Sequence, residues 1–265
     1  MPELPEAEAA RRLVQRVLVG RRIVEAAARE DRIVFSGTSA RRVAAWLRGR
    51  RVLAARRKGK HTWLELDRRP WPAFHFGMSG GLHAYRRDLD RPRFWKLELV
   101  TDDGRRVAFT DVRRFGRIRL LRDPASEPPI SLLGFDPLEG LPIAAELHAA
   151  LARRRAPLKA VLLDQGMFAG VGNWIADEVL YQAALSPHRP AASLALAEVS
   201  RLRQRLHAIV RRAVAVHGNS DRFPPSWLFH HRWGRNAEAR TARAERIVHE
   251  TIGGRTTAWV PTRQR

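Results

Sequence analysis

Apolar residues recur at helical spacing near the start of the chain. Between Pro5 and Val19, Leu13, Val14, Val17 and Leu18 fall on one face, and Gly20 stands where a helix would stop. "SARRVAAWLRG" reads as a short helix, with Ser39 as its cap and Gly49 just past its end. The period then changes. "RRIVEAAARE" reads as a strand, and so does "TWLELD", where Trp63, Leu64 and Leu66 are set against Thr62, Glu65 and Asp67. "FWKLELVTDDGRRVAFTD" reads as a hairpin around Asp103-Gly104, and "GRIRLLRD" as a further strand. A stretch rich in Pro and Gly, 123–143, reads as a linker, and helical periodicity dominates after it. The longest helix is expected from Ser193 to Gly218, with Val199, Leu202, Leu206, Ile209, Ala213 and Val216 as its apolar stripe. Two β-rich runs joined by Gly253-Gly254 close the chain as a compact hairpin.

Composition narrows the possible partners. The 265 residues are 45% hydrophobic, enough to bury real cores. Lys and Arg number 49 against 27 Asp and Glu, a net charge of +22. Arg dominates, and its planar fork suits phosphate oxygens. Nucleic acid is the first candidate partner and an anionic membrane surface the second. No apolar run is long enough to span a bilayer, and the start lacks the basic-then-apolar order of a secretory signal, so a cytoplasmic protein is expected. The absence of cysteine excludes disulfides, thiol catalysis and Cys-ligated zinc.

"LLDQGMFAGVGNWIADEVL" is the most informative stretch. The apolar segment Leu158 to Leu163 precedes Gly166, Gly170 and Gly172, Asn173 sits where a helix cap belongs, and a helix follows. Glycines permit close backbone approach, and a helix N-terminus offers free N–H groups to a phosphate. A tight helix–turn–helix corner without a ligand reads the same way.

Six ordered blocks turn that ambiguity into a family resemblance. "QGMFAGVGNWIADEVLY" resembles the helix–two-turn–helix of the formamidopyrimidine-DNA glycosylase / endonuclease VIII family. "MPELPEAE", "RRKGKHTWLEL", "HFGMSG", "TDVRRFGRI" and "IGGRTTAWVPTRQR" resemble that family's other blocks in the same order, across essentially the whole chain. The resemblance implies an α+β protein: an N-terminal β-sandwich with flanking helices (1–122), a helical helix–two-turn–helix domain (144–219) and a β-hairpin finger (220–265).

It also implies a mechanism. With Met1 removed, Pro2 would present a secondary amine that attacks the sugar C1′. An N-terminal amine is a weaker base than lysine, with pKa about 7.7–8.0 against roughly 10.4. The resemblance makes Glu3 the acid/base and Lys60 the basic partner that contacts phosphate, whereas Arg56, Arg57 and Lys58 carry nothing beyond charge. Read alone, "PELPE" is equally a helix lead-in. A base inside a duplex must be flipped out, and the hole must be filled. Met78, Arg113 and Phe115 match the family's void-filling residues, with Arg113 and Phe115 expected on the same side of an extended segment. His61 and His75 read as structural. Asn173 and Arg255 are expected to touch DNA.

Two departures shape the expectation further. In zinc-bearing members four cysteines hold the finger, and aligning "WGR" and "GGRTT" puts Arg240, Arg243, Val260 and Arg263 at those places. None of the four ligates zinc, so no metal and no cofactor is expected, and Trp259, Ile247 and Val248 are candidates to hold the hairpin by packing. This resembles the zincless finger of the plant and fungal branch. Only "GNSDRFPPSWLFHHR" separates Gly218 from "WGR", too short for the loop that caps 8-oxoguanine in bacterial members. The expected activity is that of a monomeric DNA glycosylase with AP lyase activity on double-stranded DNA bearing formamidopyrimidines, hydantoins, oxidised pyrimidines or abasic sites. The alternatives are an endonuclease VIII-like enzyme mainly for oxidised pyrimidines and a damage-binding protein without catalysis.

Overall fold

The computed structural model describes residues 2–234 and 238–265. The chain divides into two compact units, Met1–Leu132 and Leu133–Arg265, the division falling inside the Pro/Gly-rich stretch.

The first unit is a β-sandwich with two helices. Helix α1 (Leu4–Val17) starts with Pro5 in its first turn, where a missing N–H costs nothing. Helix α2 (Ala40–Leu47) is capped by Ser39, whose hydroxyl accepts the Arg42 N–H at 3.2 Å. One antiparallel sheet has the order β1 (Ile23–Ala28), β6 (Trp95–Thr101), β7 (Arg106–Asp111), β5 (Gly80–Tyr85). The other runs β2 (Val52–Lys58), β3 (His61–Leu66), β4 (Trp71–His75), β8 (Arg117–Leu121). Leu64, Phe74, Leu97, Leu99 and Phe109 from both sheets bury together with Val14 of α1 and Leu18 just past its end. The Phe74 and Phe109 rings, one from each sheet, stack at 6.0 Å.

The expected hairpin turns through Gly104, whose φ of +81° is the left-handed conformation such a turn requires. The face of β3 differs from the expectation. Thr62, Leu64 and Leu66 are buried, while Trp63 and Glu65 are half-buried on the other side, as strict two-residue alternation demands. Strands β2, β4 and β5 were not legible individually. They carry two arginines, a proline and a glycine pair respectively, and tertiary pairing overrides those weak local signals.

The second unit contains α3 (Ala144–Leu151), α4 (Leu158–Leu163), α5 (Asn173–Ala183), α6 (Leu196–Ala215) and the hairpin β9 (Val248–Ile252)–β10 (Arg255–Trp259). The predicted stripe Val199, Leu202, Leu206, Ile209 and Ala213 is buried on α6. The hairpin packs through Ile247, Ala258 and Val260 against Leu228 and Tyr181. Of the three candidates for that packing, Ile247 is buried, while Val248 and Trp259 are half-buried.

Candidate active site and nucleic-acid interface

Pro2 and Glu3 immediately precede α1. Glu3 is buried (1% exposed), and its backbone N–H donates to the Glu6 carboxylate at 2.8 Å. Burial, then the adjacent Glu3 charge, pushes the Glu6 carboxyl up to about 7. Glu6 therefore holds a proton well above the ordinary carboxylate range.

Three contacts fix this helix start to the turn that holds Lys60. The buried Arg57 guanidinium, through Nε, pairs with Glu8 of α1 at 3.2 Å, and its Nη1 donates to the Gly59 carbonyl at 3.1 Å. Thr62 Oγ1 donates to the Ala7 carbonyl at 3.3 Å. Arg11 and Arg12 complete the cluster on Glu8, and their hydrogen bonds outweigh burial to hold its carboxyl below the ordinary range. Arg57 thus corrects the expectation that it supplies charge alone: its side chain is wholly enclosed and joins α1 to the β2–β3 turn. Only its position facing inward on β2 distinguishes it from Arg56 and Lys58, and a run of basic residues hides that. These contacts tie Ala7 and Glu8, in the helix that Pro2 and Glu3 lead into, to the β2–β3 hairpin whose turn carries Lys60. Met1, whose removal the sequence suggests, lies outside the described residues.

Behind Lys60, the His61 and His75 rings sit 4.7 Å apart across β3 and β4. Burial depresses both. The His75, Arg119 and Lys60 charges assist for His61, which falls to about 3. Lys60 and Arg119 do so for His75, which falls to about 4. Both rings are neutral at pH 7, and His75 Nδ1 accepts the Gly77 N–H at 3.2 Å. The Lys60 turn is thereby linked to the loop that carries Met78.

Met78, Arg113 and Phe115 are all exposed, on two adjoining loops. Ser79 Oγ donates to Asp111 at 2.7 Å and accepts the Arg113 N–H at 3.1 Å, stitching one loop to the other. Arg113 and Phe115 do not lie on an extended segment as expected. Residues 112–114 bend, Arg114 adopts φ +60°, and the Arg113 guanidinium sits 5.1 Å over the Phe115 ring. The bend is held by Arg114, whose fork grips buried Asp31 at 2.9 and 3.2 Å. Asp31 also takes Lys96 at 2.8 Å, and these partners overcome burial to hold its carboxyl far below the usual range. No local pattern announced Asp31, which is 83 residues from Arg114.

In the second unit, Gln165 stitches the glycine-rich turn: its amide nitrogen donates to Leu163 and Val171 carbonyls, and its oxygen accepts the Gly170 N–H at 3.0 Å. Asn173 is the first residue of α5 rather than its cap; Gly172 takes the cap position with no side chain to offer. The Asn173 amide is then free to donate 2.8 Å to the Thr256 carbonyl in β10. Asn173 is thus bonded to the residue that follows exposed Arg255 in the hairpin. The turn needs its glycine: Gly253 has φ +58°, and a Cβ there would stand 2.9 Å from Ala160 of α4.

Asp177 of α5 anchors the finger from inside. It pairs with Lys159, accepts Arg232 Nε at 3.0 Å, and accepts the Ala258 N–H of β10 at 3.1 Å. No cluster of three or more His, Asp or Glu poised for a metal occurs among the described residues. Arg235, within the "WGR" used to place the four zinc positions, lies outside them.

Comparison with known proteins matches two family profiles to this architecture. The formamidopyrimidine-DNA glycosylase N-terminal domain corresponds to residues 1–118 and the formamidopyrimidine-DNA glycosylase H2TH domain to residues 133–224. The chain belongs to the formamidopyrimidine-DNA glycosylase family. The formamidopyrimidine-DNA glycosylase of Arabidopsis thaliana is 39% identical over 100% of this chain and 71% of its own length, so its likeness extends through the finger. That of Paracoccus denitrificans is 38% identical over 83% of this chain and 80% of its own. Among solved structures, Lactococcus lactis formamidopyrimidine-DNA glycosylase bound to DNA containing an AP site superposes with TM-score 0.85, at 24% identity over 99% of each chain. The same enzyme with DNA containing N7-benzyl-Fapy-dG superposes with TM-score 0.85, at 25% identity over 100% of each.

Proposed function

We propose that this DNA glycosylase of base excision repair also cleaves the strand, using Pro2 as nucleophile. The observation that supports the proposal is the bonding of Glu8 and Ala7, in the helix that Pro2 and Glu3 lead into, to Arg57 and Thr62 on either side of the Lys60 turn. The Pro2 nitrogen attacks C1′ of the flipped nucleotide. The C1′–base bond breaks, the ring opens with a proton from Glu3 on the ring oxygen, and an iminium forms. Loss of a 2′ proton expels the 3′ phosphate, and a second elimination expels the 5′ phosphate. Glu6, titrating near neutrality, is the nearby group able to relay these protons.

The substrate class follows from the cost of flipping and from the short segment before the finger. Residues after α6 are folded down: Phe223 and Trp227 are buried and their rings lie 5.3 and 6.3 Å from Trp174 of α5. Such a segment does not supply a long loop to wrap 8-oxoguanine. Ring-opened purines, hydantoins and oxidised pyrimidines pair and stack poorly, and so are cheaper to extrude. Duplex DNA carrying those lesions or abasic sites is the proposed substrate, bound by a monomer.

Borohydride trapping on abasic and lesion-bearing duplexes tests both parts. The wild-type protein, lacking Met1 by intact mass, should trap on abasic DNA. Formamidopyrimidine and hydantoin excision should outpace 8-oxoguanine opposite cytosine at single turnover. Trapping by Pro2→Gly equal to wild type, with loss in Lys60→Ala, would show that the nucleophile is elsewhere. Equal rates on 8-oxoguanine and the ring-opened purine would remove the loop argument.

A further inference from the structure

We propose that the second unit carries a binding site for a phosphate-class anion at the end of α5 opposite Asn173. A cavity of about 190 Å³ opens there, lined by Tyr181, Gln182, Arg205, Ser226, Arg243 and Arg263. It holds three guanidinium groups from three separate segments: α6, the segment before β9, and the chain after β10.

Charge is what makes this a site for an anion. The nearby carboxylate is Glu245, which lies 3.7 Å from Arg263 and accepts Tyr181 OH at 2.7 Å and Thr241 Oγ1 at 2.9 Å. Three guanidiniums against one carboxylate leave a surplus of two positive charges at one cavity. Arg263 is already placed, its Nε donating to the Tyr181 carbonyl at 3.1 Å and its guanidinium lying 4.9 Å from the Tyr181 ring centroid. Arg205 and Arg243 form no side-chain hydrogen bond or ion pair with any described residue, so their forks are available. Arginine forks match tetrahedral oxyanions bidentately. A phosphate dianion would cancel the surplus, and Ser226 adds a neutral hydroxyl donor.

The site is distinct from the expected DNA contacts. Tyr181 is eight residues beyond Asn173 on α5, roughly 12 Å along the helix axis at ~1.5 Å per residue. The favoured occupant is therefore inorganic phosphate or a small phosphate ester rather than the duplex backbone. Bound there, it would cross-link the ends of the hairpin finger to α6, a staple of the opposite charge sign to a metal ion.

Isothermal titration of the 265-residue chain with potassium phosphate, at ionic strength held constant with chloride, tests this. It is run with and without a saturating duplex containing a non-cleavable abasic analogue. One phosphate per chain should bind in both cases. Arg205→Gln or Arg243→Gln should weaken it at least tenfold without changing the phosphate-free Tm, and phosphate should raise Tm by several degrees in the wild type but not in the variants. The proposal falls if no saturable binding exceeds the chloride control, or if both variants bind as wild type. Displacement of phosphate by the duplex would likewise overturn it and assign the ion to the DNA-contacting surface.

Discussion

Replacing Asp177 by asparagine keeps the side chain's shape and removes its charge. Asp177, Lys159 and Arg232 are 1%, 0% and 7% exposed, so water cannot take over the lost counter-charge. Lys159 and Arg232 lose the carboxylate they share, and the new amide N–H₂ turns a donor toward one of them. Breaking a buried pair by removing one partner costs ~3–5 kcal/mol, mostly the penalty of burying uncompensated charge. Set against a total stability of about 5–15 kcal/mol, this is a large fraction. At roughly 2–4 °C per kcal/mol for chains approaching this size, Tm should fall by roughly 6–20 °C. The Ala258 N–H contact and the neighbouring Asn173–Thr256 bond position the hairpin that presents Arg255. Duplex affinity should therefore drop, while borohydride trapping at saturating abasic DNA persists, because Pro2 belongs to the other unit. Thermal melts of Asp177→Asn, Arg232→Met and the double variant measure the coupling. A Tm within about 2 °C of wild type, or a coupling energy below ~0.5 kcal/mol, would refute the hub reasoning.

Glu178, buried and pushed up to about 7, binds a proton more tightly folded than unfolded, so its contribution is present below about pH 4.5 and lost as pH rises through 7. Glu178→Gln should therefore gain stability relative to wild type by ~1–3 kcal/mol between pH 5 and pH 8 in urea melts, and a pH-independent difference would contradict this. If about five phosphates are neutralised, log K for duplex binding should fall with log[salt] at a slope near −4.5, and Arg255→Ala should cost ~1–3 kcal/mol in affinity; salt-insensitive binding would exclude the electrostatic reading. Activity should be unchanged in chelator, and elemental analysis should find no zinc; stoichiometric metal would point instead to ligands such as His230, His231 and His249.

The sequence by itself determined the elements whose signals are local. The α6 stripe, the Ser39 cap, the Asp103-Gly104 turn and the Gly253-Gly254 turn were each legible because periodicity or a left-handed backbone demand writes itself into a few adjacent residues. The resemblance of six ordered motifs likewise pointed to Pro2, Glu3, Lys60, Met78, Arg113, Phe115, Asn173 and Arg255. What tertiary structure alone decided is how the charges are spent. Arg57 and Arg56 are neighbours in one basic run, yet the first is enclosed against Glu8 and the second lies on the surface. Arg113 and Arg114 are adjacent, yet one stacks on Phe115 while the other grips Asp31. Asn173 looked like a cap and instead reaches 83 residues along the chain to Thr256. A long charged side chain carries no periodic preference of its own. Its partner is chosen by which distant carboxylate or carbonyl the fold brings within hydrogen-bonding range, and by the low dielectric that makes an unpaired charge there too costly to keep.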